Sequence, residues 1–168
     1  MPRKISEEKI FTVIASSSID TLIYKKSNIT KTKKGGPLFY IKKVLKGKRI
    51  PFDTISFDSI KVEILINSKG EFGKIKKRPK EEKISYVNIN SPNLIISTIL
   101  NEISLSGLEK YSGKIFIDLQ GFVRNGKHYG EKKEWLAKKE IFDSFFCVKG
   151  TEEEVKYIPK KFLKDQKK

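Results

Sequence analysis

The chain has 168 residues, 38% of them hydrophobic and 11% aromatic, which suffices for one folded domain with its own core. It holds one cysteine, Cys147, and one histidine, His128, which excludes a disulfide framework and metal sites built from several such residues. It lacks the run of about 18 apolar residues that a membrane span needs, and Glu7 and Glu8 argue against a secretory signal. We therefore expect a cytoplasmic protein with no membrane partner.

Positive charge dominates the composition. Lys and Arg number 36 against 20 Asp and Glu, which gives a formal net charge of +16. Such an excess attracts polyanions, including nucleic acid and phosphorylated ligands. Abundant Lys and Glu together with Ile are also typical of heat-adapted proteins. Both interpretations, a nucleic-acid surface and a generally solubilising charge, stay open at this point.

The first 47 residues show a strand, a loop and a helix. An apolar run from Phe11 predicts a buried strand that opens into a loop, with Asp20 directly after it. Gly35 and Gly36 precede a proline, as in a turn that leads into a helix. The helix is expected to end near Gly47. Its predicted apolar face consists of Leu38, Ile41, Val44 and Leu45.

Residues 49–90 consist of short strand-like segments separated by turns. The clearest turn is Asn-Ser-Lys-Gly at 67–70, where Gly70 is free to adopt positive φ. The stretch 74–83 is nearly all charged and reads as an exposed connection or hairpin arm.

The final third alternates between strands and helices. Buried strands are predicted at 94–100, 114–120 and 145–149, although periodicity alone also allows a helix at 94–100. A helix is predicted at 131–142, with Trp135 and Ile141 pointing inward. A second helix begins after Thr151, which is a good N-cap, and Glu154 stands at the capping-box position. This alternation predicts one α/β domain over 1–168 with a largely parallel sheet and a basic tail at 159–168.

Several polar residues follow the predicted strands. In open α/β sheets ligands bind beyond the carboxyl ends of the strands, and carboxylates there can accept hydrogen bonds from polyol hydroxyls. Taken singly, each of these residues could equally be a turn or cap residue. The residues are Asp20, Glu102, Asp118, Gln120 and Lys149.

Glycine spacing excludes two common phosphate-binding loops. Gly35 and Gly36 fit neither G-x-G-x-x-G nor G-x-x-x-x-G-K-[ST]. Two glycines before a helix still let a ligand approach the backbone.

Five segments in this order resemble the N-terminal part of a ribokinase-like (PfkB) carbohydrate kinase. They are the strand and loop ending in Asp20, the pair Gly35-Gly36, the segment Ser97–Glu102 (resembling S-P-x-x-x-E), Phe116–Arg124 (resembling D-x-Q-G-F-x-R) and Lys149–Glu154 (resembling K-x-N-x-x-E). The resemblance implies a Rossmann-like sheet with a small β-lid, formed here by strands within 49–90. It also implies an ATP-dependent kinase that phosphorylates a hydroxyl of a sugar or nucleoside.

The resemblance also assigns roles to residues. Asp20, Gly35, Gly36 and Glu102 would bind the substrate, while Lys149, Thr151 and Glu154 would form the phosphate and magnesium region. It implies Mg²⁺ and ATP as cofactors, although no single metal ligand is certain.

The sequence departs from the family pattern in ways that bear on activity. Thr151 replaces the Asn of K-x-N-x-x-E, and no G-A-G-D segment, which carries the family's catalytic base, is present. We therefore expect a truncated chain that holds the substrate-binding portion, lacks the nucleotide site and is inactive alone. It would be completed by a C-terminal chain or form a homodimer through the lid. The alternative function is a non-catalytic basic binding or assembly module, with nucleic acid as a candidate partner.

Overall fold

The computed structural model describes residues 10–125 and 130–163. These residues form eleven strands and four α-helices. The strands are β1 (Phe11–Ala15), β2 (Ser18–Tyr24), β3 (Ile29–Gly35), β4 (Phe52–Ile55), β5 (Ile60–Asn67), β6 (Gly70–Lys77), β7 (Glu82–Lys83), β8 (Asn93–Ser97), β9 (Ile103–Ser104), β10 (Lys114–Asp118) and β11 (Phe145–Lys149). The helices are α1 (Pro37–Gly47), α2 (Lys139–Asp143), α3 (Glu152–Val155) and α4 (Lys160–Leu163).

Five parallel strands form the main sheet, in the order β11-β10-β8-β1-β4. Its inner strands are apolar and fully buried at Val13, Ile14, Leu94 and Ile96. Continuous apolar runs are typical of parallel strands that are covered on both faces. The predicted α/β fold with a largely parallel sheet is confirmed.

A second, smaller sheet has the order β3-β2-β5-β6. Its central pair, β2 and β5, is parallel, and the two outer pairs are antiparallel. The chain enters it directly from the main sheet twice, from β1 into β2 and from β4 into β5. The hydroxyls of Ser17 and Ser59 join these two connections by a hydrogen bond of 2.8 Å. The two sheets are therefore held together at adjacent strand ends.

The two faces of the main sheet are covered unequally. On one face the core is large and includes Trp135, Phe142 and Phe145, whose rings contact one another. On the other face α1 packs Leu38 and Leu45 against β1. Beyond α1 this second face carries a chain of three aromatic rings at Phe11, Phe116 and Phe146. Phe146 is 59% exposed, so this part of the face is open to solvent in the described chain.

The small sheet differs from the expected strands at 49–90. Its strands β5 and β6 lie in that range, but β4 belongs to the main sheet and pairs with β1. The other two strands, β2 and β3, lie earlier in the chain. The sequence of β3 is ITKTKKG, and every residue before Gly35 is exposed, so no apolar alternation indicated it.

Two helix predictions need correction. Helix α1 has the expected bounds, but Val44 is 60% exposed and does not belong to its buried face. The helix expected at 131–142 is limited to Lys139–Asp143, and the preceding residues are irregular. Trp135 is nevertheless buried as expected, and its ring packs on Phe122. Its backbone N–H donates to the backbone oxygen of Tyr157.

No helix among the described residues is long and apolar enough to cross a membrane. Of the expected basic tail, 160–163 forms α4, and residues 164–168 lie outside the described part of the chain.

Candidate functional site

A cavity of about 770 Å³ lies between the small sheet, the start of α1 and the carboxyl ends of the main-sheet strands. Its wall is mostly apolar, with Phe11, Ile95 and Phe116 along the open face of the main sheet. Its polar lining residues are Ser18, Asp20, Ser97, Asp118, Gln120, Arg124 and Lys149. The position follows the rule that parallel sheets bind ligands at the carboxyl ends of their strands.

Asp20 lines this cavity from the small sheet. It lies inside β2 and not in a loop after the first strand, so the expected position needs correction. The chain forms only a short connection at Ser16 and Ser17 before it resumes strand structure, because the stretch Ile19–Ile23 is rich in β-branched residues. Asp20 is paired across the sheet with Lys33 on one side and Val62 on the other. The strand fixes its carboxylate toward the cavity.

Gly35 and Gly36 adjoin Asp20 for steric reasons. A Cβ at Gly35 would collide with the Asp20 carboxylate and lie 2.9 Å from the Ser18 hydroxyl. Gly36 precedes α1 with φ of 83°, and a Cβ there would lie 2.9 Å from the backbone oxygen of Ser16. Only glycine fits both positions without displacement. The structure thus brings Asp20, Gly35 and Gly36 together, as the sequence suggested.

Asp118 approaches the cavity from the main sheet. It ends β10, and its Oδ2 accepts hydrogen bonds from Lys149 Nζ at 2.8 Å and from Ser97 Oγ at 3.4 Å. Its Oδ1 accepts from the backbone N–H of Gln120 at 3.3 Å. The donors lie on neighbouring strands, since Asp118 is in register with both Ser97 and Lys149. This arrangement holds a carboxylate and an exposed ammonium side by side at the cavity.

Glu102 lies elsewhere. It is 1% exposed, and both of its carboxylate oxygens accept hydrogen bonds from the backbone N–H of Ile99, at 3.1 and 3.2 Å. The intervening Asn101 has a φ of 60°, which asparagine tolerates better than most residues. Glu102 therefore closes the tight turn after β8 and is not among the residues that line the cavity.

Thr151 and Glu154 form the capping box that the sequence predicts at the start of α3. Thr151 Oγ1 accepts from the Glu154 N–H at 3.2 Å, and Glu154 Oε2 accepts from the Thr151 N–H at 2.8 Å. Neither residue lines the cavity, whereas Lys149 does. Glu154 is 8% exposed, so its carboxylate is committed to the helix start.

The fit of these residues to Mg²⁺ is poor. Mg²⁺ is held by one or two carboxylates together with water and phosphate, which requires an open carboxylate. Glu154 is buried and already hydrogen-bonded, and the described residues contain no group of three or more possible metal ligands. His128 lies outside the described residues. Cys147 is exposed on β11 and lines the cavity.

Sequence reasoning did not select three other lining residues. Ser18 and Tyr40 carry no motif of their own, and their place becomes visible only when β2 and α1 are positioned. Arg124 belongs to the segment that resembles D-x-Q-G-F-x-R, and this signal could have identified it.

Comparison with known proteins finds matches only among solved structures, because no family model and no curated protein matches the chain. A pyrophosphate-dependent kinase in the ribokinase family, complexed with a pyrophosphate analogue and myo-inositol, aligns with a TM-score of 0.65 at 13% identity. The alignment covers 89% of this chain and 64% of that protein. The Arabidopsis thaliana ribokinase, complexed with ribose and ATP, gives a TM-score of 0.51 at 12% identity, covering 89% and 62%.

A ribokinase from Thermotoga maritima aligns with a TM-score of 0.50 at 16% identity, over 92% of this chain and 68% of that protein. The chain thus spans a little under two thirds of the pyrophosphate-dependent kinase and of the plant ribokinase. Identities this low establish the fold and nothing finer. The chain has the fold of the ribokinase family, as its sequence motifs implied.

Proposed function

We propose that the chain is the acceptor-binding portion of a ribokinase-type kinase, which transfers a phosphoryl group from ATP to a hydroxyl of a sugar or nucleoside. The acceptor lies in the 770 Å³ cavity, and the small sheet acts as its lid. The observation that carries this proposal is the convergence of Asp20, Gly36 and Asp118 around one cavity. Gly35 leaves the space that the Asp20 carboxylate occupies. Alone, the chain is inactive.

The two carboxylates suit a polyhydroxy ligand. Asp20 reaches the cavity from the small sheet and Asp118 from the main sheet, so a ring between them can donate hydroxyl hydrogen bonds in two directions. The absent side chain at Gly35 leaves the Asp20 carboxylate uncovered. The apolar wall at Phe11 and Phe116 offers contact to the carbon face of a sugar ring or to a nucleobase. This chain therefore binds and orients the acceptor.

Phosphoryl transfer also needs positive charge near the phosphates and a carboxylate that accepts the hydroxyl proton. Lys149 and Arg124 line the cavity and supply positive charge. The magnesium role expected for Thr151 and Glu154 is not supported by their capping geometry, and we derive no step through the metal. ATP remains the donor that the family resemblance implies.

Ligands in the solved relatives support an acceptor with several hydroxyls. One relative was solved with myo-inositol and a pyrophosphate analogue, and another with ribose and ATP. Both acceptors are polyols of a size that a cavity of 770 Å³ admits.

A C-terminal portion, which a second chain can supply, completes the acceptor site. Activity requires groups that this sequence does not contain, and the face of the main sheet beside the cavity exposes Phe146 and Cys147. A complementing C-terminal chain that covers this face would enclose the cavity and bury the aromatic rings. A homodimer through the lid is the competing arrangement. Analytical ultracentrifugation distinguishes the two arrangements. The purified chain sediments as a dimer if it forms a homodimer, and it sediments as a larger species only in native extract if a second chain completes it.

Calorimetric titration with ribose, myo-inositol and adenosine tests the acceptor site. We expect the chain to bind at least one of them, and Asp20→Asn to weaken that binding on the order of tenfold, as loss of a charged hydrogen bond does. Asp143→Asn is the matched control, because Asp143 pairs with Lys139 on an exposed helix surface. Equal affinity of both variants, or absence of binding to the whole panel, would overturn the proposal.

A further inference from the structure

The positive charge of the protein is concentrated in one segment. Residues 25–49 contain ten Lys and Arg and no Asp or Glu, and thus contribute ten of the sixteen net positive charges. No acidic residue occurs between Asp20 and Asp53. A generally solubilising charge would be interspersed with carboxylates, as it is in the rest of the chain. The segment therefore requires its own explanation.

The structure spreads this charge over one continuous stretch of surface. It runs from the turn after β2, along the edge strand β3, to α1, which contacts β3. Of its ten basic side chains only Lys42 is half-buried, and the others are exposed. No carboxylate in residues 10–125 or 130–163 forms an ion pair with any of them, whereas lysines such as Lys76 and Lys132 are paired. We call this stretch the basic surface.

An aromatic side chain lies within it. Phe39, Lys43 and Lys46 follow one another at helical spacing on α1, so they share one exposed side of the helix. Phe39 is 43% exposed, and its ring is held edge-on by Tyr40 at a centroid distance of 5.3 Å. An exposed ring beside lysines without a carboxylate partner suits single-stranded nucleic acid, whose bases stack on aromatic rings and whose phosphates contact lysines.

We propose that the basic surface, together with Phe39, binds single-stranded nucleic acid. Lysines of β3 and α1 contact phosphates, and Phe39 stacks on a base. The ligand is read by its backbone charge and base planes and not by base edges, so binding tolerates many sequences. None of its ten basic side chains lines the acceptor cavity, although Tyr40, which contacts Phe39, does. Occupancy of this surface does not depend on kinase activity.

Fluorescence anisotropy with a labelled oligo-dT and an oligo-U of about 20 nucleotides, longer than one site, tests the proposal on the whole chain. Affinity is measured between about 50 and 200 mM salt. We expect Lys31→Gln with Lys34→Gln and Lys43→Gln to weaken binding and to reduce the slope of log affinity against log salt by about 0.7 per lost phosphate contact. Phe39→Ala should weaken binding on the order of tenfold with an unchanged slope.

The matched control changes three exposed lysines elsewhere, Lys80, Lys83 and Lys110, to Gln. It removes the same charge and should bind as the unmodified chain does. Circular dichroism spectra confirm that the variants are folded. Equal weakening by both triple variants, or an unaltered affinity of Phe39→Ala, would overturn the proposal. So would tighter binding to a duplex of the same length, or to vesicles of anionic phospholipid, than to the single strands.

Discussion

Asp20 and Gly35 are diagonal neighbours on adjacent strands of the small sheet, and the Asp20 carboxylate occupies the space that a side chain at position 35 would need. The second close group is the Ser18 hydroxyl, 2.9 Å from the place of that missing Cβ. The presence of the Asp20 carboxylate therefore requires glycine at position 35. Any side chain at 35 either moves the carboxylate or moves β3.

The first prediction is that substitutions at Gly35 and Asp20 are not independent. Gly35→Ala should lower the free energy of unfolding by about 1–3 kcal/mol, because overpacking displaces Asp20. It should also weaken binding of the acceptor, since the carboxylate moves. Adding Asp20→Ala should recover much of the stability but none of the binding. Urea unfolding measures the first effect and calorimetry the second.

Gly47→Ala is the control for that cycle. No heavy atom lies within 4 Å of the Cβ that it would add, and position 47 is helical. Its stability should be unchanged or slightly higher. An additive double mutant, with no recovery when Asp20→Ala joins Gly35→Ala, would contradict the steric relationship.

The second prediction separates two roles of Glu102. If Glu102 serves only the turn after β8, Glu102→Ala should lower the free energy of unfolding by about 1–3 kcal/mol, because the buried N–H of Ile99 loses its acceptor. Acceptor affinity, measured by calorimetry well below the melting temperature, should not change. Glu109→Ala, at an exposed site, should alter neither quantity. A tenfold loss of acceptor affinity with little loss of stability would show instead that Glu102 binds the substrate.

The third prediction concerns the capping box. Thr151→Ala should lower the free energy of unfolding by about 0.5–2 kcal/mol, as loss of an N-cap does. Thr151→Asn, which restores the family's K-x-N-x-x-E pattern, should keep the stability, because Asn caps helices as well as Thr. Chemical denaturation compares both with Ser112→Ala, an exposed control. Equal stability of Thr151→Ala and the unmodified chain would show that the short α3 does not depend on its cap.

The fourth prediction is a loss of stability at alkaline pH. Burial raises the pKa of Tyr86 above its ordinary value of 10.0, and its hydroxyl donates to the backbone oxygen of Ser104 at 2.6 Å. Below pH 10 the tyrosine is neutral in both states, so its contribution is complete. Above pH 10 the unfolded chain releases this proton while the folded chain retains it, and stability falls with rising pH.

Unfolding by urea between about pH 8 and 11 measures this slope, which is at most about 1.4 kcal/mol per pH unit for one proton. Tyr86→Phe lacks the proton, so its stability should fall less steeply over the same range, although it starts lower because of the lost hydrogen bond. Parallel curves for the two proteins would contradict the assignment. Tyr24→Phe, at a half-buried site on β2, serves as the control.

The sequence predicted the elements that have a distinct apolar pattern or a helix-capping motif. The strands β1, β8, β10 and β11 and the capping box of Thr151 and Glu154 were anticipated in this way. Strand β3 was not, because its lysines and threonines satisfy only backbone pairing with β2 and have no buried face. Local pattern cannot reveal a strand that is specified by its neighbour.

The candidate site was anticipated in its residue types more than in its positions. Asp20 was recognised, although it lies within a strand of the small sheet. Glu102 and Glu154 carry the expected carboxylates, but each is buried and bonded to backbone N–H groups within three residues. Sequence alone does not distinguish a carboxylate that serves the backbone from one that faces a ligand, because both follow strands and begin turns.

The hydrogen bond between Ser17 and Ser59 has a consequence for folding. It joins two connections that are distant in sequence, and the strands on either side of them also pair, β1 with β4 and β2 with β5. Pairing between such distant segments is slow, so the small sheet should be acquired late. In a nascent chain that ends before β4, Asp20 lies on the hairpin of β2 and β3 alone. The small sheet can cover the cavity only after β5 has paired with β2.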